Sequence, residues 1–155
     1  MNVELLYPDD SRIDDALRLA ERVFMEFEAP VFPEEGKENF LKYLYGEDLR
    51  GFISCRAAEM YICSEDDQIC AMMCLVRGDH ISLAFTEKAY QRKGMGRAMF
   101  EEILKRHTRE DFTVNSSPFG YEFYKSLGFE PTDMELIEDG IIFTPMKRIR
   151  TWGSL

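Results

Sequence analysis

The chain has no apolar run long enough to cross a bilayer, and no basic stretch follows its opening Met-Asn-Val-Glu, so neither an anchor nor a signal peptide is expected. Positive charge is also scarce: 19 Lys and Arg stand against 29 Asp and Glu, a net charge of −10. Phosphate backbones are held by net positive surfaces, so nucleic acid is not an expected partner. The acidity suits a cationic acceptor such as an amine, and it equally serves plain solubility. The 4 cysteines, at positions 55, 63, 70 and 74, form no C-x-x-C pair. Cys70 and Cys74 share an extended apolar run, which separates them by about 13 Å. A single metal with thiolate bonds of about 2.3 Å cannot take both, and no metal is expected. Cys63 and Cys70 stand where a hairpin would let them face each other, but reduced core thiols in a cytoplasmic protein are the expected state. Repeats, linkers and low-complexity segments are missing, so residues 1–155 make one domain, long enough to bury an ordinary core.

What is present alternates between two periods. Val3 to Tyr7 reads as a strand, broken by Pro8-Asp9-Asp10-Ser11, with Ser11 and Asp14 at capping-box-like spacing. Ile13, Ala16, Leu17, Ala20, Val23, Phe24 and Phe27 keep helical period. The segment Ala29-Pro30-Val31-Phe32-Pro33 interrupts them, and a second helix carrying Phe40, Leu41, Leu44 and Tyr45 stops at Gly46. Strands at Met60–Ser64 and Ile69–Val76 flank the turn Glu65-Asp66-Asp67, and the second is apolar enough to be covered on both faces. His80 to Thr86 is a third central strand. A helix with Met99, Phe100, Ile103 and Leu104 inward follows, then a strand at Phe112–Asn115, a helix at Pro118–Leu127 closed by Gly128, and strands near 129–138 and 141–149. This order predicts an α/β (α+β) mixed sheet with helices on both faces.

Between the third central strand and its helix lies Gln91-Arg92-Lys93-Gly94-Met95-Gly96. Two glycines let the backbone turn with positive φ and keep Cβ atoms out of the way. The first N–H groups of the helix are unpaired, and its dipole places about half a positive charge there. With Arg92, Lys93 and Arg97 around the turn, a phosphate or pyrophosphate fits. The spacing is not that of a P-loop, because the lysine precedes Gly94. Nor is it a dinucleotide fingerprint, because Met99 holds the place of the third glycine and the turn lies past the middle of the chain.

Gln91-x-x-Gly94-x-Gly96 instead resembles the coenzyme A signature of the GNAT (GCN5-related) acyltransferases, Q/R-x-x-G-x-G/A. Val114-Asn115-Ser116-Ser117-Pro118 followed by Phe123-Tyr124-Lys125-Ser126-Leu127-Gly128-Phe129 is similar to a second block of that family, at the expected distance. Gly140 to Met146 resembles the terminal strand of one bacterial branch. The likeness is close over about residues 80 to 147 and a matter of layout before them. It implies the single-domain GNAT fold, in which the fourth and fifth strands of a central mixed sheet splay apart to admit the pantetheine arm. It further implies an acetyl-CoA-dependent N-acetyltransferase that moves acetyl to a small amine, an amino acid or a peptide amine. A non-catalytic acyl-CoA-binding domain of the same fold is the alternative. A homodimer is a habit of the family, with the segment around Trp152 as its candidate contact.

The same resemblance assigns backbone contacts to the pantetheine and acetyl group at Phe85 and Thr86, and pyrophosphate binding to Gln91, Arg92, Lys93, Gly94, Met95, Gly96 and Arg97. Asn115 would contact the pantetheine arm. Thr86 stands where the family usually has an apolar residue, a departure that a backbone contact tolerates. Tyr124 matches the tyrosine that protonates the departing thiolate, and a phenol near pKa 10 keeps its proton at pH 7. The amine must also lose a proton, at about 4–5 kcal/mol for a lysine-like group at neutral pH. No carboxylate lies on the central strand, which leaves Glu28, His80 and a water relay as candidate bases. Phe27, Glu28 and Phe32 belong to the loop between the first two helices, which commonly lines the acceptor pocket.

Overall fold

The computed structural model describes residues 1–108 and 111–150. In chain order they form β1 (Asn2–Leu5), α1 (Arg12–Val23), α2 (Glu34–Leu44), α3 (Glu47–Ser54), β2 (Ala58–Glu65), β3 (Gln68–Val76), β4 (His80–Thr86), α4 (Met95–Arg106), β5 (Phe112–Ser116), α5 (Tyr121–Ser126), β6 (Glu130–Pro131), β7 (Leu136–Glu138) and β8 (Ile141–Arg148). The sheet runs β1-β2-β3-β4-β5-β8-β6, with β7 also paired to β8. Every pairing is antiparallel except β4 with β5. Trp152, the expected dimer contact, lies outside the described residues. No helix among the described residues is long and apolar enough to cross a membrane.

Helices cover both faces, as the order of elements predicts. On one face Leu17, Leu44 and Leu49 of the first three helices, with Phe24 just beyond α1, pack on Met72, Leu83 and Phe85. On the other, Met99, Phe100 and Ile103 of α4 pack with Tyr124 and Leu127 on Met73, Leu75 and Ile81. The near-continuous apolar run of β3 is buried from Cys70 to Val76, because it faces both layers.

A third helix, α3, was not expected after Gly46. It has only eight residues, too short to show a period, but it buries Leu49 and Ile53. At about 2 kcal/mol for each buried side chain, these two outweigh the poor stability of so short a helix alone. Ser11 makes no capping bond. Asp10 does the work instead, accepting from the Arg12 backbone N–H at 2.9 Å and from its guanidinium. The first helix does not continue regularly to Phe27. After Val23 it widens into a π-helical turn over Phe24–Glu28 and then a 3-10 turn over Ala29–Val31, where Pro30 has no N–H to extend the ladder. The expected strand near 129–138 is two short strands, each paired to a different part of β8. The helix expected from Pro118 starts only at Tyr121, since Pro118 to Gly120 form a turn in which the Ser117 hydroxyl accepts from the Gly120 N–H at 3.1 Å.

Candidate active site

The site begins as a fault in the sheet. β4 and β5 pair only at His80–Thr113 and Ile81–Val114. Beyond that point β4 stays with β3 and β5 stays with β8, so the two strands part. Opposite Cys74 and Leu75, β4 carries one extra residue, Ser82. This bulge turns the strand over: Ile81 joins the α4 face, whereas Leu83 and Phe85 join the α1–α3 face. The Glu87 N–H donates to Cys70 O at 2.9 Å, so strand alternation points the backbone groups of Phe85 at β3 as well. Ala84 and Thr86 therefore turn their N–H and C=O groups into the gap. The backbone edge expected at Phe85 and Thr86 is formed by Ala84 and Thr86, with Phe85 buried in the core. A buried backbone group without a partner costs about 1–3 kcal/mol, which an inserted extended chain would recover.

A cleft of about 970 Å³ runs through this gap. At one end stands the turn before α4. Gly94 has φ +86 and Arg92 has φ +62, so the left-handed turn is shared by one glycine and one arginine. A Cβ built on Gly94 meets nothing within 4 Å, which leaves open space above the N–H groups of Met95, Gly96 and Arg97. Gly96 has a different reason to be glycine from the expected one. It is helical, and a Cβ there would stand 2.6 Å from the Phe123 ring. Arg97 donates to Ser126 O at 3.0 Å, and the Lys93 ammonium lies 5.6 Å from the Tyr90 ring centre. Gln91 donates through Nε2 to Thr86 O at 3.0 Å, tying the turn to the strand end. Such a turn, with Arg97 and Lys93 held by Ser126 and Tyr90, can hold an anion.

Glu28 and Tyr124 both line this cleft, near enough for the Glu28 charge to act on the phenol. Tyr124 is buried, with its ring edge-on to Phe123 at 5.1 Å and to Phe129 at 5.7 Å. It packs as a core residue and also lines the cleft, where burial and the nearby Glu28 carboxylate push its pKa above the ordinary phenol value. Glu28 ends the π-helical turn and is half-buried in the cleft wall. Burial pushes its pKa up to about 7, opposed by the Ser117 hydroxyl beside it. Phe27 stacks on Phe119 at 5.0 Å, which closes the two loops over this spot. Phe32 is buried against Phe24. Asn115 is exposed on β5 beside the cleft. His80 lies at the apex, where its Nδ1 is 2.8 Å from Thr113 Oγ1 and burial lowers its pKa. That bond ties β4 to β5 and leaves Glu28 as the candidate base nearest the tyrosine.

Sequence reasoning missed Ala84, because the bulge that aims it leaves no mark on the strand pattern. Ser117 was visible only as a motif letter. The remaining cleft wall, with Tyr43, Arg77 and Ser82, comes from three separate elements and has no linear signature.

Solved structures share this architecture at low identity. A GCN5-related N-acetyltransferase from Rhodopseudomonas palustris superposes with a TM-score of 0.75 at 15% identity, covering 96% of this chain and 94% of that one. The PaiA N-acetyltransferase from Thermoplasma acidophilum, solved in complex with coenzyme A, gives 0.74 at 17% identity over 96% and 99%. Escherichia coli ElaA gives 0.68 at 18% identity over 96% and 99%. No protein of curated function matches the sequence. Residues 28–150, from the cleft carboxylate to the end of the sheet, match the acetyltransferase (GNAT) domain. The chain belongs to the GNAT family and is an N-acetyltransferase.

Proposed function

We propose that this enzyme moves acetyl from acetyl-CoA to a primary amine by direct attack in a ternary complex. The observation that carries the reading is that Glu28 and Tyr124 lie near each other in the one cleft that the Gly94 turn also lines. The residues fit the donor: the open turn at Gly94 with Arg92, Lys93 and Arg97 suits a pyrophosphate, and the backbone edge at Ala84 with the Thr86 N–H, whose own C=O is already taken by Gln91, suits the amide-bearing arm. Asn115 stands on the opposite strand of the gap. Acetyl-CoA supplies an activated acyl group on a thiol leaving group.

The rest of the chemistry belongs to side chains. Glu28 takes a proton from the ammonium of the acceptor. Its carboxylate, at about 7, is much better matched to an amine than an ordinary glutamate is, yet it is largely ionised just above neutrality. The amine nitrogen then bonds to the acyl carbon as the carbon–sulfur bond breaks. Tyr124 gives its hydroxyl proton to the departing sulfur; the acylated nitrogen sheds its second proton, which restores the phenol through solvent, and Glu28 returns the proton it took to solvent. Its raised pKa keeps it protonated throughout the working range. Holding donor and acceptor in one cleft supplies the remainder of the rate. The buried, reduced thiols of Cys63, Cys70 and Cys74 support a cytoplasmic setting.

The test is release of free CoA thiol from acetyl-CoA across a panel of amines, with Tyr124→Phe in parallel. Transfer to at least one amine and a loss of about 10²-fold or more in kcat for Tyr124→Phe are expected, with CoA affinity retained. Full activity of the folded variant overturns the role given to Tyr124.

A further inference from the structure

The turn that leaves β5 brings one hydroxyl to the cleft wall, that of Ser117. Ser117 follows the last pair of β5 with β8, Ser116 with Thr144. The Ser116 hydroxyl donates to Ser117 O at 2.8 Å, and the Gly120 N–H is shared between Ser117 O and Ser117 Oγ at 3.1 Å each. A hydroxyl carries one proton and two lone pairs, so an oxygen that accepts from Gly120 has its proton turned elsewhere. Among the described residues the acceptor of that proton is the Glu28 carboxylate. Two further contacts hold the pair together. The ring of Phe27, next to Glu28 in the chain, stacks at 5.0 Å on that of Phe119, two residues after Ser117. A Cβ added to Gly120 would lie 3.5 Å from Ser117 Oγ and 3.3 Å from the Tyr124 ring, so this glycine lets the hydroxyl and the phenol ring approach one another.

We propose that Ser117 is the positioning residue of the base: its hydroxyl donates to the Glu28 carboxylate and holds it toward the acceptor amine, on the side of Tyr124. The inference rests on the acetyl-transfer reading above and adds a residue to its machinery. A free glutamate side chain spreads its carboxylate over several rotamers, whereas a general base must stay within hydrogen-bond reach of the proton it takes. The same bond sets the pH at which the base is available. Burial favours the protonated carboxyl, which cannot take a proton, and the hydroxyl stabilises the ionised form against it. Of the charged and titratable side chains on the cleft, Tyr124 feels the Glu28 charge, while Arg77, His80, Arg92, Arg97 and Glu122 do not contribute to the Glu28 shift. The Ser117 proton alone opposes the burial.

The experiment is the pH profile of kcat/KM in thiol release, on an amine that the wild type acetylates, for the wild type, Ser117→Ala, Ser117→Cys and Ser117→Thr. The wild-type profile should rise with a midpoint of about 7. Removing a donor to the ionised carboxylate raises its pKa, so Ser117→Ala should move the midpoint up by about one pH unit. Its loss of kcat/KM should then be about fivefold greater at pH 7 than at pH 9. Threonine keeps the hydroxyl and should restore the wild-type midpoint, whereas cysteine donates weakly and should fall between the two. A merely structural role would lower kcat/KM by one factor at every pH and leave the midpoint in place. Urea unfolding of Ser117→Ala beside Ser117→Ala/Glu28→Gln should show the same upward shift without turnover. A wild-type midpoint in Ser117→Ala, or in Ser117→Cys if the alanine variant does not fold, overturns the inference while leaving acetyl transfer standing. Failure to acetylate any amine overturns the acetyl-transfer reading itself.

Discussion

Glu28→Gln separates stability from activity in opposite directions. In the folded protein the Glu28 carboxyl titrates at about 7, against an ordinary value of 4.5, and burial is the larger cause. The folded state therefore holds its proton more tightly than the unfolded chain. Between about pH 4.5 and 7 it binds more protons, so stability falls as pH rises through that window and levels off above it. A shift of that size costs the ionised form about 2–3 kcal/mol, the lower figure allowing for the side the carboxylate shows to the cleft. Glutamine keeps the shape and cannot ionise. Glu28→Gln should thus match the wild type near pH 4 and exceed it by about 2 kcal/mol at pH 8. Urea unfolding of both proteins across that range reads the difference directly. The same substitution should remove the rise of kcat/KM with a midpoint of about 7 and slow acetyl transfer by about 10²-fold. A wild type whose stability does not change between pH 4 and 8 relative to Glu28→Gln would refute the buried carboxylate. A retained alkaline limb in the variant would refute its role as base.

Gly94→Val should raise the Kd for CoA by about tenfold or more, since valine resists φ +86 and fills the open space above the helix N–H groups. Calorimetry showing unchanged affinity in a folded variant would contradict the cradle. Gly96→Val acts by another route, because its Cβ would press the Phe123 ring from 2.6 Å. A stability loss of about 1–3 kcal/mol is expected in thermal unfolding, and none would mean that the ring swings clear. Gly36→Ala tests the contact of α2 with the turn before β8, where a Cβ would lie 2.0 Å from Gly140 O. Backbone cannot rotate away as a side chain does, so a loss of about 3 kcal/mol or more is expected, and a wild-type Tm would show that the two elements separate freely.

Much of this protein is legible along the chain because its signals are local. The apolar run of β3, the period of α1 and α4, and the glycine turn before α4 each depend on neighbours a few residues away. Backbone conformation and the unpaired N–H groups of a helix start follow from such short-range rules. The sequence blocks around Gln91 and Tyr124 carry the family for the same reason: each is one contiguous piece of the site. The short helix α3 escaped because eight residues show no period, and only the burial of Leu49 and Ile53 against the core makes it a helix.

Tertiary structure decided what depends on distance and register. The extra residue at Ser82 exists only relative to β3, and it determines that Ala84 rather than Phe85 faces the gap. Gly96 is small because Phe123, 27 positions along the chain, packs on it. The basicity of Glu28 is likewise invisible in the sequence, since a glutamate in a loop reads as solvated. Its pKa rises because the loop folds over β5 and α5 and takes the carboxylate out of water. Desolvation is a property of the packed neighbourhood, and only the fold supplies one.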